Sequence, residues 1–100
     1  MPGDAIKVAS HAYKVVLENQ RVRVLEFNGK AGIKTEMHHH PATVVVAVSR
    51  GKYRFTHPGG HTMEAELQPG QSMYLDAVDH AAEVLEAGRG GARVLLIELK

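Results

Sequence analysis

The residues in this chain best suited to do chemistry are three consecutive histidines, His38-His39-His40, followed by Pro41. On an extended strand successive side chains point to opposite faces, so His38 and His40 share one face and His39 points away. Two imidazoles on one face make half of a metal site. A third ligand has to come from elsewhere, and His80 is the candidate, at the start of a predicted strand just after Asp76-Ala77-Val78-Asp79. Three imidazoles suit Fe, Zn, Ni or Cu near neutral pH. Glu36 shares strand parity with His38 and His40, which makes it a candidate general base or replacement ligand, set against an ordinary solvated rim carboxylate. His57 and His61, around Pro58-Gly59-Gly60, and His11 read as surface residues.

The elements that must position these histidines come from a short chain. It has 100 residues, 12 basic and 11 acidic side chains, a formal charge of +1 and 44% hydrophobic content. A chain of this length supports one core and not two. The expectation is a single domain over residues 11–100, preceded by a mobile segment, 1–10. The near-neutral charge argues against nucleic acid or anionic membrane as partner. With no cysteine there are no disulfides, thiolate ligands or thiol nucleophile. The N-terminal stretch has no apolar run of signal-peptide length, and Val44–Val48 and Val94–Ile97 are far too short to span a bilayer. A soluble, cytoplasmic protein is expected.

Apolar residues recur at period two or in short β-branched bursts, which reads as all-β. Strands are expected at Tyr13–Glu18, Val22–Phe27, weakly at Lys34–His40, then at Val44–Val48, Tyr53–Thr56, Thr62–Leu67, Ser72–Leu75, His80–Leu85 and Arg93–Leu99. Val44–Val48 is apolar on both parities and is expected to be central and covered on both faces. About nine short antiparallel strands separated by Gly or Pro turns indicate a sandwich or barrel.

The spacing also brings a family resemblance. Gly32, five residues, His38, one residue, His40, three residues, Val44, six residues and Gly51 resemble the first motif of the cupin superfamily, which carries Gly, His, His, Glu and Gly there. Pro69-Gly70, followed nine residues later by His80, resembles the second motif, with Asp76 and Val78 replacing its usual Pro and Gly and a loop one residue shorter. The resemblance implies a small, RmlC-like jelly-roll β-barrel with one divalent metal ion inside it, held by His38, His40 and His80.

Val44 stands where most metal-binding cupins have a Glu ligand, and Val84 where the second motif usually has Asn. By parity Val44, Val46 and Val48 share a face, and Ala82 and Val84 share one with His80. Val44, Val46, Ala82 and Val84 are therefore expected to line the pocket as a dry aliphatic wall. Without a carboxylate the ion keeps its full dipositive charge, favours an anionic ligand and leaves positions open for substrate. Tyr53, Tyr74 and Met73 are expected either to line the cavity or to belong to the core.

Three functional readings follow: a metal-dependent enzyme, oxygenase-like or isomerase-like, acting on a small molecule; a non-catalytic ligand-binding or sensor cupin, metallated or not; and a structural barrel with no ligand. No loop is long enough to form a lid, so the substrate must be small. Association as a homodimer is implied by the resemblance, with the N-terminal strands as sheet-extending edges.

Overall fold

A computed structural model describes residues 3–100. One short helix, α1 (Ala5–Val8), precedes nine strands: β1 (Tyr13–Glu18), β2 (Val22–Gly29), β3 (His38–His40), β4 (Thr43–Ala47), β5 (Gly51–Thr56), β6 (Thr62–Leu67), β7 (Ser72–Leu75), β8 (Val78–Ala87) and β9 (Ala92–Leu99). They form two antiparallel sheets, ordered β1-β2-β9-β4-β7 and β3-β8-β5-β6, the all-β jelly-roll arrangement expected.

Alternation decides what each sheet shows the other. On β5, Tyr53 is buried while Arg54 turns outward to Glu64 and Glu83, and Arg50 joins Glu66 and Glu86 on the same charged outer face. The inner faces close over a core that includes Leu25, Phe27, Val45, Leu67, Val84 and Leu96. Pro58-Gly59-Gly60 turns β5 into β6 with Gly59 and Gly60 at φ near 93° and 90°, a backbone that only glycine adopts at low cost.

The N-terminal segment differs from expectation. Met1 and Pro2 lie outside the described residues, but the rest of the predicted mobile stretch is packed. Asp4 caps α1 by accepting a hydrogen bond from the Ile6 N–H at 2.9 Å, and Ala5 and Ala9 are fully buried. A backbone bridge joins Asp4 to His39, and the His39 N–H donates to the Gly3 carbonyl at 2.8 Å. Small residues at positions 5 and 9 let the helix sit flush on the sheets, a signal that strand periodicity does not carry.

Two strand expectations also change. Only His38–His40 of the weak Lys34–His40 run is a strand, because the chain bends at Met37 and Thr35 turns inward instead of Glu36. β4 is internal, between β9 and β7, but β9 is the central strand. The outer face of β4 is accordingly only half covered, with Val44 and Val46 half-buried.

Candidate metal centre

The short strand β3 and the long strand β8 pair so that His38 lies directly opposite His80, with His40 opposite Val78. Strand parity turns His38, His40 and His80 into the interior, where they are 0%, 0% and 5% exposed. His39 takes the other face and pairs with Asp79, Nδ1 to Oδ1, at 2.8 Å. The three inward rings meet edge to face, with centroids 4.8 to 5.2 Å apart.

The rings of His38 and His40 are each oriented by a hydrogen bond, and that of His80 by stacking on Phe55 at 5.1 Å. The His38 Nδ1–H donates to the Glu36 carbonyl at 2.8 Å, which leaves Nε2 with its lone pair facing inward, 3.3 Å from the Tyr13 hydroxyl. The His40 Nδ1–H donates to Glu98 Oε2 at 2.9 Å. The Nε2 atoms of His40 and His80 are buried and have no hydrogen-bond partner among the described residues. A buried imidazole nitrogen without a partner carries a desolvation cost that ligation would remove.

Burial also sets the protonation state. It pushes the His80 imidazole down to about 3, with the neighbouring His40, His38 and His57 adding to the effect. It pushes His38 down to about 4 against the opposing hydrogen bond to Glu36. Both rings are thus neutral near pH 7, the form that ligates. One nitrogen from each of the three histidines lies within 4.8 Å of the others, so the three donors converge on one point. The donor set fits a divalent ion.

Sequence parity misses the carboxylate that bears on this site. Glu98, 2% exposed, holds His40 with one oxygen and Arg23 with the other, at 2.8 Å to Nε and 2.6 Å to Nη2. Arg23 in turn pairs with both oxygens of Asp4, at 2.8 and 2.9 Å. The chain Asp4–Arg23–Glu98–His40 brings one net negative charge to the outer side of the imidazoles, so the expectation of an ion with its full dipositive charge uncompensated is corrected. Glu98 shares parity with Val94 and Leu96 on β9, and a lone carboxylate on that inward face is the signal that was available.

A cavity of about 110 Å³ adjoins His80, lined among others by Val45, Phe55, Met63, Met73, Leu75 and Ala82. Ala82 is among the lining residues, and Val84 shares its face but belongs to the closed core. Val44 and Val46 are corrected: Thr43, Val45 and Ala47 face inward, so Val45 lines the cavity, while Val44 pairs with exposed Tyr74. The turn at Pro41-Ala42 reverses the parity carried forward from His40. Tyr53 and Met73 line the cavity and Tyr74, 57% exposed, does not. The Glu36 side chain is solvent-exposed; its carbonyl, not its carboxylate, serves the site. His57, expected at the surface, lines the cavity, with Nδ1 buried and unpartnered among the described residues. His11 is exposed, 2.8 Å from the Lys34 carbonyl.

No family model and no curated protein matches the sequence. Among solved structures, a cupin domain from Bordetella pertussis Tohama I is 27% identical, with a TM-score of 0.76 over 88% of this chain and 91% of that one. An RmlC-like cupin from Desulfovibrio desulfuricans is 16% identical, with a TM-score of 0.60 over 91% and 86% of the two chains. Fe(II)-HppE, solved with an alternative substrate, (S)-1-HPP, is 14% identical, with a TM-score of 0.64 over 86% of this chain and 48% of its own. These likenesses, a nine-stranded jelly roll and the inward histidines of β3 and β8 together give the chain the cupin fold.

Proposed function

We propose that the protein holds one divalent metal ion, Fe, Zn, Ni or Cu, through His38, His40 and His80 and acts on a small molecule in the adjoining cavity as a metal-dependent enzyme, oxygenase-like or isomerase-like. The observation that carries this reading is the convergence of three buried imidazoles, two with unpartnered Nε2 atoms. When bound, the ion supplies Lewis acidity and, if it is iron, oxygen chemistry.

The chain's own groups do the rest. The Glu36 carbonyl and the Glu98 carboxylate hold the Nδ1 protons, so the Nε2 lone pairs are presented inward. Tyr13 stays protonated, because burial, with Glu98 and Tyr53 adding to it, raises its phenol far above neutral pH. Its hydroxyl is a hydrogen-bond donor for an oxygen bound beside His38. The lining beside His80 is apolar, which disfavours ordered water there.

A second reading, a non-catalytic ligand-binding or sensor cupin, is favoured by the absence of any charged side chain from the described cavity lining. Elemental analysis of untagged protein beside a His38→Ala/His40→Ala variant tests the metal. Near-stoichiometric metal lost in the variant supports the site, and none after reconstitution refutes it. We also propose homodimerisation through the β1 edge, where Val15, Val16 and Leu17 are 43%, 54% and 52% exposed. Light scattering on a sizing column should give a dimer for the wild type and a monomer for Val16→Glu; a monomeric wild type overturns it.

A further inference from the structure

The lining of the cavity points to a kind of ligand. Among its described residues there is no lysine, arginine, aspartate or glutamate; the side-chain polar groups are Tyr13, Tyr53, His57 and His80. They are not spread evenly. Tyr13 Oη sits by His38, and His80 is itself one of the three converging rings. Tyr53 Oη is tucked against Gly51, where an added Cβ would lie 2.5 Å from it. From His80 a wall of parallel rings leads away, Phe55 stacked on His80 at 5.1 Å and Tyr53 stacked on Phe55 at 5.9 Å. Met63 and Met73 are adaptable walls, and Met63, half-exposed, stands with His57 where the space meets solvent.

The end beside His38 and His80 therefore accepts a ligand's polar head, and the walls of Phe55, Met63, Met73 and Leu75 accept hydrocarbon, with the buried and unpartnered Tyr53 Oη and His57 Nδ1 at their margins. A polyol or phosphate in this space would leave most of its polar groups unpaired and desolvated, which disfavours its binding. The volume near 110 Å³ is somewhat below the roughly 150 Å³ of an apolar cavity that takes up benzene. Resting on the three-histidine metal reading, we propose that the site binds a small organic monoanion, a carboxylate or enolate head at the metal and an unfunctionalised apolar body of about four to six carbon atoms along the Phe55–Tyr53 wall.

The test uses full-length protein loaded with Co²⁺, titrated with acetate, butyrate, hexanoate and octanoate and followed by the cobalt visible spectrum. Uptake of Co²⁺ is measured first by equilibrium dialysis. Affinity should rise about fourfold per methylene up to hexanoate and then level off. Ala65→Leu, which narrows the cavity beside Tyr53, should lower hexanoate affinity more than acetate affinity. Stoichiometric Co²⁺ with equal affinity along the series overturns the ligand class and leaves the metal reading standing. Failure to take up Co²⁺ overturns both.

Discussion

Replacing Glu98 by glutamine removes a charge from behind His40 while keeping shape. In the native protein one carboxylate oxygen accepts from His40 Nδ1 at 2.9 Å and the other accepts from Arg23 at 2.8 and 2.6 Å. Glutamine has a single acceptor oxygen, so its NH₂ group must face one of these two donors. The variant loses the negative charge that makes the imidazole a better ligand, and one hydrogen bond with it. Losing an outer partner of this kind lowers metal affinity by about 10–100-fold, or roughly 1.4–2.7 kcal/mol. Asp4→Asn is the matched control, since Asp4 reaches His40 only through Arg23 and Glu98. Its affinity should fall less than that of Glu98→Gln. Zinc affinity would be read by competition with a chromophoric chelator at pH 7.5, with circular dichroism confirming that both variants are folded. A folded Glu98→Gln protein with zinc affinity within about twofold of wild type refutes the assignment of Glu98 to the site.

Other expectations follow from the same contacts. His80→Ala should abolish metal uptake, and adding zinc should then no longer raise Tm as it does for wild type; an unchanged zinc-dependent rise would remove His80 from the ligand set. In chelator-treated protein, His38 and His80 are neutral when folded, at about 4 and about 3, but protonate near 6.5 when unfolded. Below that pH the unfolded chain binds more protons, so this contribution is intact above about pH 6.5 and lost as pH falls toward the folded values. Denaturant titrations should show a loss of roughly 4 kcal/mol between pH 7.5 and pH 5 from the two groups, and equal stability at the two pH values would contradict their burial as neutral rings. Gly51→Ala places a Cβ 2.5 Å from Tyr53 Oη and 2.9 Å from the Ala92 Cβ. Overpacking there should cost about 1–3 kcal/mol, seen as a Tm lower by roughly 5–20 °C, and a Tm equal to wild type would show that Tyr53 does not lie over Gly51.

Local periodicity and spacing encode the strands and the first two ligands of this protein. Alternation of apolar residues specified an all-β chain, turn residues separated the strands, and the one-residue spacing of His38 and His40 placed both on one face. His80 was recoverable because it opens an alternating run, His80, Ala82, Val84, whose parity is unbroken. Parity stops carrying information at a turn or bend, and a slip of one residue moves every side chain to the opposite face. That is why Val45, not Val44, lines the cavity beyond Pro41-Ala42, and why Thr35, not Glu36, turns inward before the bend at Met37. The rest was decided by tertiary structure. Glu98 meets Arg23 across 75 residues of sequence and His40 across 58, and the helix that carries Asp4 to Arg23 is a single turn with no periodicity to read. His57 enters the cavity lining only because its hairpin lies beside His80, ring to ring at 6.4 Å. Ligand type and spacing are properties of a strand, whereas the charge and solvent exclusion around those ligands arise where strands distant in sequence pack together.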